Sequence, residues 1–180
     1  MELTELKVTR KNRNYKLVKS LYEKVFPKGE RYSFEILYLN SKRKIVDFIS
    51  YYDNSKFIGF TYNIIYKSNV FLLYFGVDPS IQSKGYGTNI LNQIKLKYKD
   101  KNIILNTEQV DKNASNYNQR LRRYNFYKKN GFIDTNCTFN DHDGTIYSVL
   151  CTSSNFKKEE YEELLKKISL SIIKPKIDSK

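Results

Sequence analysis

The chain has 180 residues, with 32 Lys and Arg against 19 Asp and Glu, a formal charge of +13. This length fits one domain, and no apolar run approaches the ~20 residues of a membrane span. Two cysteines, Cys137 and Cys151, lack CxxC spacing and a histidine cluster, which argues against a disulfide scaffold or a metal site.

The opening "MELTELKVTRKN" lacks the apolar core of a signal peptide. Reduced cysteines and no such segment lead to the expectation of a cytoplasmic protein with no membrane partner. The lone His142 reads as a loop histidine. The positive charge would attract a polyanion such as nucleic acid or a phosphorylated small molecule. The bland alternative is a composition rich in Lys throughout.

In chain order, Leu3 to Val8 alternates as an edge strand. Tyr15 to Val25 has helical spacing, stopped by Pro27 and Gly29. A second helix covers Ser33 to Asn40. Val46 to Tyr52 and Lys56 to Tyr66 are strands joined by a turn at Asp53 to Ser55, and Val70 to Val77 is the next strand. A helix runs from about Gly87 to Tyr98, and Asn102 to Val110 is a buried-type strand. Gln119 to Asn130 is a helix, with Gly131 as its left-handed stop. Ile133 to Phe139 and Thr145 to Thr152 form a hairpin around "NDHDG". Phe156 to Ile168 is a last helix, and the tail "KPKIDSK" is loose. Hairpins flanking a strand-helix-strand crossover make an α+β fold with a mixed sheet. The expected domain is a single one over 1–180, with its core at 1–153 and a terminal helix and tail at 154–180.

The stretch "YFGVDPSIQSKGYGTNIL", Tyr74 to Leu91, places two of the chain's seven glycines, Gly85 and Gly87, after a strand and before a helix. A helix N-terminus carries backbone N–H groups without intrahelical partners and a partial positive charge. Glycines let an anion approach that backbone closely. The stretch is not a P-loop, which needs G-x-x-x-x-G-K-[ST], nor a G-x-G-x-x-G fingerprint, since the third position is Ile90.

"VDPSIQSKGYGTNIL" resembles the acetyl-CoA-binding motif of the GNAT acetyltransferase superfamily, with Gln82, Gly85 and Gly87 at its marked positions. "RRYNFYKKNGF", Arg122 to Phe132, resembles that family's helix ending in F/L-Y-x-x-x-G-F. The resemblance covers roughly residues 46 to 150. It implies a mostly antiparallel mixed sheet of about six or seven strands flanked by helices, with a splayed strand pair that binds CoA. It implies an acetyl-CoA-dependent transfer to a primary amine of a small molecule or peptide, with acetyl-CoA as co-substrate and no metal.

The resemblance places the pyrophosphate on the backbone of Gln82, Ser83, Lys84, Gly85, Tyr86, Gly87 and Thr88, and pantetheine beside Phe75, Gly76 and Val77. Lys84 is the best-placed cation for the polyanionic CoA, and Lys128 and Lys129 are contacts to its nucleotide end. Tyr127 takes the family position of the Tyr that protonates the departing sulfur. Glu108, near the end of the next strand, is the base candidate; its alternative is a salt bridge to Arg120 or Arg122. Asp141 and Asp143, on the last hairpin, would meet a cationic amine or form a solvated turn. The sequence departs from relatives that carry Asn and Ala seven and four residues before the helix Tyr. Arg120 and Arg123 stand there, so a pantetheine-binding Asn would have to be Asn113, Asn116 or Asn118. Two other readings are a non-catalytic acyl-CoA-binding module and a basic nucleic-acid-associated protein. Monomer and homodimer are both compatible with the sequence.

Overall fold

The computed structural model describes residues 2–141, 144–168 and 176–179. The chain forms two compact units, residues 1–65 with 72–97 and residues 66–71 with 98–180.

The first unit holds strands β1 (Thr4–Lys7), β2 (Val46–Asp53) and β3 (Lys56–Tyr66), most of β4 (Asn69–Val77), and helices α1 (Asn14–Val25), α2 (Phe34–Asn40) and α3 (Tyr86–Lys97). β1 and β2 pair antiparallel from Thr4↔Tyr52 to Lys7↔Ile49, and β2 pairs antiparallel with β3 around a turn where Asn54 has φ 54°. β4 follows β3 in the sheet. Aromatic residues fill much of this core. Tyr22 meets Tyr74 edge-on at 4.9 Å, Phe48 meets Tyr62 at 5.0 Å, and Phe26 meets Tyr74 at 4.9 Å. Such edge contacts add to plain area burial. Two strand glycines allow a close backbone approach. A Cβ on Gly59 would lie 2.2 Å from the Gly76 carbonyl oxygen, and one on Gly76 would lie 2.7 Å from the Phe60 ring. Gln93 ties α3 to β1, accepting from Leu3 N–H at 3.1 Å and donating to Leu3 O at 2.8 Å.

The second unit holds the start of β4, strands β5 (Asn102–Glu108), β6 (Ile133–Asn140), β7 (Ile146–Cys151) and β8 (Lys176–Ser179), and helices α4 (Tyr117–Lys129) and α5 (Lys158–Ile168). Its strand order is β4-β5-β7-β6-β8. β4 and β5 pair in parallel from Asn69↔Asn102 to Phe71↔Ile104, while β5–β7, β6–β7 and β6–β8 are antiparallel. Tyr161 fixes α5: its hydroxyl donates to Asn106 Oδ1 at 2.8 Å, and its ring meets Phe71 at 5.5 Å.

The architecture is the expected α+β fold, with helices on a mostly antiparallel mixed sheet. One element differs. Lys176–Ser179 is not loose but adds an eighth strand, from Cys137↔Ser179 to Asn140↔Lys176, because the edge of β6 offers a free ladder. No helix among the described residues is long and apolar enough to cross a membrane.

Candidate active site

The loop from β4 to α3 is built by two left-handed residues. Ser83 has φ 66° and Gly85 φ 81°, with exposed Lys84 between them. Alternating handedness turns successive N–H groups to one side, the concave arrangement that receives anions. Asp78 anchors the entry, accepting from Ser80 N–H at 3.0 Å and donating its own N–H to Ile58 O at 2.9 Å. Tyr86 anchors the exit through its hydroxyl on Asp53 Oδ2 at 2.8 Å. The helix begins at once: Asn89 N–H donates to Gly85 O at 3.0 Å, so Tyr86, Gly87 and Thr88 supply first-turn N–H groups. Gly87 lies inside α3, and Gly85 alone of the pair is left-handed. Gln82 to Gly85 are exposed. Lys84 has no ion-pair partner among the described residues. Phe75 and Val77, half-buried, and Gly76, buried, precede this loop on β4.

The end of α4 is a Schellman cap. Gly131, at φ 80°, donates to Lys128 O at 3.1 Å, and Phe132 donates to Tyr127 O at 3.1 Å. The Phe132 ring lies 5.7 Å from the Tyr127 ring, the apolar contact that accompanies this cap. The pattern Y-x-x-x-G-F is therefore a physical device that fixes Tyr127. Burial pushes the Tyr127 phenol up to about 12, opposed by the Arg123 charge. No described residue forms a hydrogen bond with its hydroxyl. Tyr124, one turn earlier, is also pushed up, by burial and then by Asp134. Lys128 and Lys129 are exposed at the helix end.

Glu108, 5% exposed, is clamped. Arg120 Nη2 stands 2.9 Å from Oε1 and Arg123 Nη1 2.8 Å from Oε2, with Asn116 Nδ2 at 3.4 Å from Oε1. Asn116 also accepts from Arg120 Nε at 2.7 Å. The sequence pointed to Arg120 or Arg122; the partners are Arg120 and Arg123, three residues apart on one helix face. Arg122 instead bonds Asn118 O. Of the three asparagines considered for pantetheine, Asn116 belongs to this clamp, Asn113 N–H bonds Asp111 Oδ1, and Asn118 is exposed. Asp141 sits at the β6–β7 turn, its N–H on Thr145 O at 3.0 Å. Asp143 and His142 lie outside the described residues.

A family model described as an acetyltransferase (GNAT) domain matches residues 44–134, just over half of the chain. No curated protein matches the sequence. Among solved structures, a GNAT-family acetyltransferase of Bacteroides thetaiotaomicron, named as putative, is 22% identical with a TM-score of 0.76, covering 96% of this chain and 99% of its own. The aminoglycoside 6′-N-acetyltransferase of Enterococcus faecium is 16% identical with a TM-score of 0.62, over 86% of this chain and 98% of its own. Arabidopsis thaliana Naa50, in complex with a bisubstrate analogue CoA-Ac-MVNAL, is 22% identical with a TM-score of 0.62, over 85% and 99%. These likenesses give the fold; with the model match over the loop, β5 and α4, the chain belongs to the GNAT acetyltransferase family.

Proposed function

We propose that this chain is an acetyl-CoA-dependent N-acetyltransferase that acts by direct transfer on a primary amine of a small molecule or peptide. The observation that carries the reading is the left-handed pair Ser83 and Gly85 opening α3, a cradle of N–H groups for a pyrophosphate. Lys84 meets the same anion. Phe75 to Val77 run alongside pantetheine, and Lys128 and Lys129 serve the nucleotide end. The neighbours' own substrates span an aminoglycoside and a peptide, so they leave the acceptor open.

In the reaction the amine nitrogen attacks the thioester carbonyl. The C–N bond forms, the C–S bond breaks with its electron pair leaving on sulfur, and the amine proton is released. An alkyl amine with a pKa of about 10.4 spends roughly 4.6 kcal/mol to be neutral at pH 7. Tyr127 acts on the sulfur. A phenol near 12 is a weaker acid than a thiol of about 8.5. It therefore stays protonated and hydrogen-bonds the developing thiolate, with full proton transfer uphill. Glu108, both oxygens occupied, holds α4 in place and thereby Tyr127, and water carries the amine proton. Both cysteines are buried in strands, and burial pushes the Cys151 thiol up, which supports transfer without an acyl-cysteine.

Thiol release from acetyl-CoA across a panel of primary amines tests the proposal. Amine-dependent release, with the acetylated amine found by mass, is the expected result. Acetyl-CoA binding without release for any amine would leave a non-catalytic acyl-CoA-binding module. No binding at all would overturn the reading.

A further inference from the structure

The first unit contains a groove of about 380 Å³ where α1 ends and α2 begins, lined in part by Lys19, Tyr22, Glu23, Lys28, Arg31 and Tyr32. Its lining residues Tyr22 and Tyr32 contact β4 at Tyr74, one residue before the segment assigned above to pantetheine. Tyr22 packs on Tyr74 at 4.9 Å, and Tyr32 N–H donates to the Tyr74 hydroxyl at 3.1 Å. Tyr74 immediately precedes Phe75, Gly76 and Val77. Behind it Phe60 meets Tyr22 at 6.2 Å and limits the space at Gly76. Through Tyr74, the groove thus adjoins the strand segment on which the thioester arm is placed.

The charges in the groove are unequal in availability. Glu35, which also lines it, is engaged by Arg10, by the Tyr15 hydroxyl at 2.6 Å and by Lys19 at 3.4 Å. These partners hold its carboxyl below the usual range, the Tyr15 hydrogen bond first among them. Arg31 spends one nitrogen, Nη1, on Glu23 O at 2.7 Å and Phe26 O at 3.4 Å, the carbonyls that end α1. A guanidinium has five N–H donors, and Nε and Nη2 have no partner among the described residues. Lys28 is exposed and has no ion-pair partner among the described residues. Against these, among the described side chains, Glu23 brings one exposed carboxylate at the rim. The donors left over, on Lys28, Arg31 and Lys19, outnumber it.

We infer that the groove binds an oxyanion carried by the acceptor, so the substrate is a primary amine that also bears a carboxylate or a phosphate. This rests on the acetyltransferase reading and narrows its acceptor class. A polycationic acceptor of the aminoglycoside type meets the wrong charge here, since like charges at close range disfavour it.

The test is a set of KM values from thiol release with matched pairs: β-alanine against β-alaninamide, phosphoethanolamine against ethanolamine, and one aminoglycoside. Each pair is measured in the wild type, in Lys28→Glu and in Arg31→Gln. The wild type should favour the anionic member by about tenfold or more, the worth of one charge-assisted hydrogen bond. That ratio should collapse or invert in Lys28→Glu and shrink in Arg31→Gln. A ratio within one protein cancels any loss of folded enzyme. The preferred pair tells carboxylate from phosphate. Ratios near one in the wild type, ratios that survive Lys28→Glu, or preference for the aminoglycoside would overturn the groove assignment while leaving the acetyltransferase reading intact. Failure of every amine together with no calorimetric acetyl-CoA binding would overturn both.

Discussion

Phe132 donates its backbone N–H to the Tyr127 carbonyl at 3.1 Å and lays its ring 5.7 Å from the Tyr127 ring. Backbone and side chain of the proposed sulfur-facing residue are thus set by one capping turn. Gly131→Ala meets open space at its Cβ but must hold φ 80°. It should cost about 1 kcal/mol, or roughly 2–4 °C in melting temperature. It should also lower kcat as the Tyr127 hydroxyl shifts; calorimetric melting beside steady-state kinetics checks both.

Tyr127→Phe removes only the hydroxyl, which has no described partner, so melting temperature and acetyl-CoA affinity should hold. Turnover should fall by roughly 10- to 1,000-fold if the hydroxyl stabilises the leaving thiolate. An unaltered kcat with a good acceptor would assign Tyr127 to packing alone.

Glu108→Gln should destabilise the protein by about 2 kcal/mol. A clamped buried carboxylate would be lost, while the part-exposed arginines keep some hydration. Because the proposed role is positional, the rate should drop by the same factor for a high-pKa alkyl amine and a low-pKa aromatic amine, at every pH. A general base would behave otherwise. The alkyl amine would lose more, and high pH would restore part of its rate. Parallel pH profiles for the two acceptors decide the matter.

Much of this was legible in the sequence. The apolar, aromatic-rich runs of β2 to β5 and the 3.6-residue pattern of α1 and α3 place the elements, and Gly131 marks the end of α4. Arg123 was legible too, since only residues three or four apart share a helix face with Arg120, and Arg122 does not. The strand at Lys176–Ser179 was not. Four residues after a proline carry no alternation strong enough to read, and the ladder of β6 supplies what the segment lacks. The approach of Gly59 to Gly76 and the meeting of Lys19 with Lys28 and Arg31 around one groove depend on tertiary packing. Spacing along the chain does not encode them.

Those two glycines yield a graded prediction. Gly59→Ala drives a Cβ against the Gly76 carbonyl, backbone that cannot turn aside, and should cost roughly 3 kcal/mol or more. Gly76→Ala presses on the buried Phe60 ring, which can shift, and should cost about 1–3 kcal/mol. Denaturant melts that rank the variants the other way would refute this packing.

Tyr22, Tyr51, Tyr62 and Tyr161 are pushed above the ordinary phenol value of 10.0, in each case first by burial, as is Tyr127. A raised folded value means the unfolded chain gives up its tyrosine protons first as pH rises. Stability from these groups is full below about pH 10 and is lost as pH climbs through that value toward 12. Melting temperature should fall steadily across this window, and fewer than the 16 tyrosines should ionise spectrally before unfolding. Ionisation of all 16 in a folded protein would contradict the burial.

Calorimetric titration of acetyl-CoA into the wild-type protein and into Gly85→Glu tests the central claim most directly. The Cβ of residue 85 faces open space and a side chain held at φ 81° costs about 1 kcal/mol, small enough for the variant to fold, while its carboxylate stands where the pyrophosphate is placed. The account predicts saturable binding to the wild type and its loss in Gly85→Glu. Equal affinity in the two proteins, or no binding to the wild type, would contradict it.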